Sequence, residues 1–80
     1  MKKLTQDVFK GAPVWVLSAA VDGNGVANYF SVPIEHLVKV RTFIGGIWLF
    51  MSNKSDNKFK KIGKGYDATD WQNSAIDREL

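Results

Sequence analysis

Residues Val38 to Met51, VKVRTFIGGIWLFM, set a Gly45-Gly46 pair between two runs of β-branched and aromatic residues. This stretch constrains the fold most, because a two-residue hairpin turn needs positive φ and glycine adopts it without strain. With Gly45 and Gly46 as the loop, Ile44 faces Ile47, Phe43 faces Trp48, Thr42 faces Leu49, Arg41 faces Phe50 and Val40 faces Met51. Alternation then sorts the side chains onto two faces. Val40, Thr42, Ile44, Ile47, Leu49 and Met51 form an apolar face, expected to meet the core. Lys39, Arg41, Phe43, Trp48 and Phe50 form a face that is aromatic and basic together, and it is the one functional surface that pairing geometry offers.

A second hairpin lies upstream. Val14 to Val21 reads as a strand, and Asp22-Gly23-Asn24-Gly25 is the strongest turn signal in the chain. A two-residue loop, whether Gly23-Asn24 or Asn24-Gly25, puts Trp15, Leu17, Ala19 and Val21 on one core face with Val26, Asn28, Phe30 and Val32. A three-residue loop reverses that parity and turns Tyr29 inward. Pro33 ends the second strand, and Phe59 to Ile62 reads as a short fifth one. Near the start, Leu4, Val8 and Phe9 have the spacing of a single helical turn, stopped by Gly11 and Pro13. At the other end Thr69 and Gln72 fit a capping box, so Thr69 to Glu79 reads as a short helix or two turns with Trp71, Ala75 and Ile76 inward. The expected fold class is α+β: one antiparallel sheet of four or five strands built from two β-hairpins, with a short C-terminal helix over one face.

At 80 residues the chain is read as a single domain, residues 1–80, in which burial is only just sufficient and each large ring matters. Without cysteine there is neither a disulfide framework nor a thiolate metal site, and the expected compartment is the cytoplasm. Asp7, Lys10, Gly11 and Pro13 interrupt the N-terminal apolar run, so no secretory signal is expected. No stretch approaches the roughly 18 apolar residues of a spanning helix, and no membrane partner is expected. Charge is unevenly spread: Met1 to Lys64 holds ten basic and four acidic residues (+6), and Gly65 to Leu80 one basic and four acidic (−3). A basic body attracts polyanions, and an acidic tail folded over it cancels the field.

Catalytic chemistry finds few candidates. His36 stands alone, and one histidine without cysteine builds no usual zinc site. Asp67, Asp70, Asp77 and Glu79 match no calcium loop, and acids near a helix start already suit its dipole. Gly63-Lys64-Gly65 lacks the spacing and the Lys-Ser/Thr ending of a phosphate loop. Neither an enzyme, a metal nor a cofactor is expected. Aromatic rings beside cations on a sheet instead suit two kinds of partner. A protein partner uses Trp, Phe and Arg as anchors. Single-stranded nucleic acid stacks its bases on the rings and places phosphates on cations, with Lys58, Lys60, Lys61 and Lys64 adding to the face. Burial of both hairpin faces, one under the first hairpin and one under the terminal helix, is the competing structural reading, because Trp48 and Phe50 are costly to leave in water.

Three segments carry a resemblance. Leu4, Thr5, Asp7, Val8, Phe9, Ala12 and Pro13, then Ala19 to Asp22 with Gly25, then Tyr66 to Ser74, resemble a group of small bacteriophage-encoded proteins of uncharacterised function. The central hairpin falls outside this pattern. The resemblance implies a protein made in an infected bacterial cell, and small phage accessory proteins commonly act by binding. The resulting expectation is a non-enzymatic binding module that modulates or inhibits a host protein in the bacterial cytoplasm through Lys39, Arg41, Phe43, Trp48 and Phe50. Single-stranded nucleic acid is the alternative partner. An exposed hairpin edge also allows a homodimer.

Overall fold

The computed structural model describes residues 2–79. Its first hairpin turns on three residues, Gly23 to Gly25. The Asp22 N–H donates to Val26 O at 2.8 Å, and the Gly25 N–H closes a tight turn on Asp22 O at 3.0 Å. Gly25 then takes φ 84°, the left-handed conformation by which such a loop rejoins its strand. The strands are β1 (Ser18–Val21) and β2 (Ala27–Phe30), with Ala19 opposite Tyr29 and Val21 opposite Ala27. The third loop residue reverses the parity of a two-residue turn. Ala19 and Val21 therefore share a face with Ala27 and Tyr29, and Ser18 and Ala20 share the other with Asn28 and Phe30. The core face expected from Trp15 and Leu17 is corrected accordingly: the strand begins only at Ser18, Val14 and Leu17 are exposed, and Val16 is wholly buried.

All four residues of β1 are buried because its sheet is covered on both sides. The strand order is β5-β2-β1-β6, all antiparallel, with β5 at Phe59–Gly63 and β6 at Ile76–Asp77. On one side Phe9, Val16 and Ala19 gather Leu4, Val8, Tyr29, Ile62 and Ile76. On the other, Ala20, Phe30, Val32 and Phe50 gather Leu37, Trp71 and Ala75. A run of small side chains, Ser18-Ala19-Ala20, lets both layers approach the central strand. The buried Ser18 hydroxyl donates to Val32 O at 2.6 Å, which satisfies it.

The N-terminal layer is a 3-10 turn, Gln6–Phe9. The opposite layer is a separate two-stranded sheet, β3 (Leu37–Arg41) paired with β4 (Trp48–Ser52). It is held to the first sheet at the first turn, where the Gly23 N–H donates to Trp48 O at 2.7 Å and Asp22 Oδ1 accepts the Phe50 N–H at 3.0 Å.

The α+β expectation is overturned: six strands in two antiparallel sheets and short 3-10 turns make this a mainly β chain, with no α-helix among the described residues. Thr69 to Glu79 forms a 3-10 turn at Trp71–Asn73 and then strand β6, and no side chain caps the turn at Asp70. Short polar side chains explain the failure, since they compete with helical bonds by binding nearby backbone. Asp67 Oδ1 accepts the Thr69 N–H, Asp70 Oδ1 accepts from the Asn73 amide, and the Ser74 hydroxyl lies 2.7 Å from Trp71 O. Ser74 Oγ also accepts the Val21 N–H at 2.9 Å, drawing the chain to the edge of β1, where Ile76 pairs with Ala19. The backbone groups of β1 find their second partner there.

Candidate functional site

Hairpin β3–β4 is two residues out of the expected register. Val40 faces Leu49 and Arg41 faces Trp48, and the Thr42 N–H donates to Ile47 O at 2.8 Å, so the loop is Phe43 to Gly46. Gly45 and Gly46 both have positive φ as expected, but they form only the second half of the turn. Thr42 organises the first half: its hydroxyl donates to Ile44 O and accepts the Ile47 N–H, each at 2.9 Å. Arg41 Nε donates to Gly46 O at 3.2 Å and holds the other side of the loop. A shift of two leaves parity unchanged, so Lys39, Arg41, Trp48 and Phe50 do share a face.

That face points inward. Phe50 is 6% exposed and meets Trp71 edge-on at 5.5 Å between ring centroids, while Trp48 lies tilted 6.1 Å from the same ring and stays 46% exposed. Lys39 and Arg41 stand exposed at the rim, and Phe43 leaves the ladder for the loop, where it is fully exposed. The five residues expected to act as one surface are thus divided among core, rim and tip. The face expected to be core is the outer one: Val38, Ile47 and Met51 are exposed, Val40 and Leu49 half-buried, and Ile44 stands out beside Phe43. Phe50 packs with Ala20, Phe30 and Val32, and Trp71 supplies the surface that meets both rings.

Lys58, Lys60, Lys61 and Lys64 are exposed, but they lie on and beside β5, in the other sheet. Lys60 pairs with Tyr29 and Lys61 with Asn28, which puts these two cations on opposite faces. Phe59, the first residue of that strand, is 70% exposed. A cleft of about 450 Å³ lies between Phe59 and β4, lined by Phe30, Phe50 and Met51 and by polar Asp22, Asn28 and Lys54. A smaller one, about 280 Å³, lies beside β3 and is lined by Leu37, Lys39, Phe50, Gln72 and Ala75.

Asp22 sits within the protein, 8% exposed. Burial pushes its carboxyl above the ordinary aspartate range, against hydrogen bonds from the Phe50 N–H and the Asn28 amide that lower it. Both oxygens are engaged, Oδ1 by Phe50 and Oδ2 by Asn28 at 3.1 Å, so the group fixes structure. His36 has Glu35 3.9 Å away, and among the described residues no three His, Asp or Glu side chains gather into a metal site. The acidic tail is built into the fold through both distant and local bonds. Asp77 Oδ1 accepts the Ile34 N–H at 2.9 Å, and Asp67 is held below the usual carboxylate range by the Thr69 N–H and hydroxyl.

Sequence reasoning missed two of the residues that set this surface. Asp22 was read only as part of a turn, although an aspartate ahead of Gly-Asn-Gly is placed to bond backbone beyond its own turn. Trp71 was read as core without its partners Trp48 and Phe50. No protein family, curated protein or solved structure matches the chain. Among the described residues no helix is long and apolar enough to cross a membrane.

Proposed function

We propose that the protein is a non-enzymatic binding module that engages a host protein in the bacterial cytoplasm through the tip and outer face of hairpin β3–β4. The observation that carries this reading is the tip: Phe43 and Ile44 stand in solvent next to an outer face, Val38, Val40, Ile47, Leu49 and Met51, that has no charged residue. Isolated apolar residues are ordinary on a surface, whereas a contiguous apolar face ending in an exposed ring marks an interaction site. Phe50 anchors the hairpin from its inner side, so the outer side is free to bind without loss of the core. The resemblance of the chain's two ends to small phage proteins supports a host protein as the partner.

Capture from bacterial lysate tests this, with tagged wild type and a Phe43→Ser/Ile44→Ser variant compared with and without nuclease, at low and high salt. The expected result is a discrete protein band that survives nuclease and salt and is lost in the variant, whose melting temperature is unchanged. A band retained by the variant overturns the tip as the site. Material lost to nuclease or salt favours single-stranded nucleic acid, a second reading supported by the exposed Phe59 among Lys58, Lys60 and Lys61.

A further inference from the structure

Among the described residues the two sheets have four outer edges, and they are not equivalent. The edge of β6 is closed by the Gln6 amide, which donates to Asp77 O at 2.7 Å and accepts the Glu79 N–H at 3.0 Å. The second edge of β4 is held by Gly23 and Asp22. The edge of β5 carries Lys60 on one face and Lys61 on the other, which guards it from both sides. The edge of β3 is guarded on one face only.

Hydrogen bonds from the Asn53 N–H to His36 O and from the Thr42 N–H to Ile47 O bracket the β3–β4 ladder. By alternation Val38 and Val40 bond to β4, and the N–H and C=O of Lys39 and Arg41 point away from it. Among the described residues β3 pairs with β4 alone. Its cations are on the inner face and its valines on the outer one.

We infer that the outer edge of β3 accepts an extended partner segment in which acidic and apolar residues alternate, added antiparallel or parallel as a third strand. A second copy of this chain is the wrong occupant, because β3 paired antiparallel with itself in full overlap sets Lys39 against the Lys39 of the copy and gathers both copies' Arg41 on the same face. An acidic residue at each inward position is complementary to the same two cations. These inward side chains enter the cleft of about 280 Å³ beside β3, where Lys39 and the Gln72 amide line the wall. The outward positions extend the uncharged face of Val38 and Val40. Main-chain bonds supply affinity in this mode, and the alternate side chains supply the choice of partner. The inference rests on the reading of this hairpin as a protein interface, and it names the binding mode and the chemistry of the partner.

The test is a nuclear magnetic resonance titration of the ¹⁵N-labelled protein with a blocked peptide that alternates glutamate with valine and threonine, beside its lysine counterpart. Amide shifts confined to Leu37–Arg41 and to residues 72–75 are expected, with slowed exchange of the Lys39 and Arg41 N–H groups. The lysine peptide should bind at least about fivefold more weakly, in line with like charges set opposite one another. A Lys39→Glu variant of unchanged melting temperature should abolish that preference. Shifts at Phe59–Gly63 instead, equal affinity for the two peptides, no shift at millimolar peptide, or a stable dimer of the free protein would each overturn the inference. If the peptide fails while the lysate partner is still lost on Phe43→Ser/Ile44→Ser, the edge falls and the tip stands. Peptide binding at β3 without a tip-dependent partner has the converse meaning.

Discussion

Asp22 joins three parts of the fold from one position. Its N–H closes the first turn, Oδ1 takes the Phe50 N–H of the second sheet, and Oδ2 takes the Asn28 amide on β2. Asp22→Ala leaves a buried N–H and an amide without their acceptor, and should lower stability by about 2–3 kcal/mol in denaturant melts. Asp22→Asn keeps an oxygen for Phe50 and should cost less. The pair also has a pH signature. Burial raises the folded-state pKa of Asp22, so the ionised group opposes folding at neutral pH and the folded chain gains a proton on acidification. Wild type should therefore gain stability relative to Asp22→Asn as pH falls through the folded-state pKa, the gain being complete below the unfolded value near about 4. A difference between the two proteins that is flat with pH would show that burial does not govern this carboxyl. Asp67 acts in the opposite sense: its lowered pKa contributes stability above the unfolded value that is lost as pH falls through the folded one.

Turns decide the elements here, and the two hairpins show why sequence patterns reach only part of the way. Both were legible as hairpins from glycine flanked by β-branched and aromatic runs. Loop length was not, because Asp22-Gly23-Asn24-Gly25 accommodates two or three loop residues, and one residue exchanges the faces of β1 and β2. In the second hairpin the error was two residues, so the partition into faces survived. Which face turns inward was decided by Trp71, a residue distant in sequence, and no local pattern reports that. The C-terminal helix failed because the capping box at Thr69 and Gln72 competes with side-chain bonds from Asp67, Asp70 and Ser74. Of the candidate site, Lys39 and Arg41 were found where they are exposed, Phe43 was found in the wrong element, and Phe50 was core. Substitution should reproduce this division. Phe50→Ala should cost about 3–5 kcal/mol, as expected for a buried ring, whereas Phe43→Ser should change stability by less than about 0.5 kcal/mol. The loops themselves differ in tolerance. At Gly25 an added Cβ meets Tyr66 O at 2.9 Å as well as the strain of φ 84°, so Gly25→Ala should cost about 2–3 kcal/mol. Gly11, also at positive φ, has open space around it, and Gly11→Ala should cost only about 1 kcal/mol.

The molecule is a thin central sheet with a different layer on each side, and its two cores lie on opposite faces of β1 and β2. Arg78 secures one of those layers. It extends the ladder through its N–H to Leu17 O at 2.8 Å, and its guanidinium donates to Pro13 O at 2.9 Å and Val16 O at 3.2 Å. The same group lies 5.9 Å from the centre of the Phe9 ring, so one side chain just beyond the last strand fixes the loop that follows the 3-10 turn Gln6–Phe9. None of these contacts reaches β3 or β4. Arg78→Ala removes charge-assisted bonds to backbone, each worth about 1.5–3 kcal/mol, from the N-terminal layer alone. Hydrogen exchange distinguishes two outcomes. If the layers are energetically separate, the Val16 and Leu17 amides should exchange on the order of tenfold faster or more in the variant, while the Phe50 amide, held by Asp22 on the other side, keeps its wild-type protection. If all three amides accelerate together, the sheet transmits the loss and the chain opens as one unit. The separate behaviour is expected because small side chains occupy the middle of β1: Ser18, Ala19 and Ala20 bury little area of their own, so neither layer depends on the other for its large rings. That separation would allow hairpin β3–β4 to exchange its outer partners while the N-terminal layer stays closed.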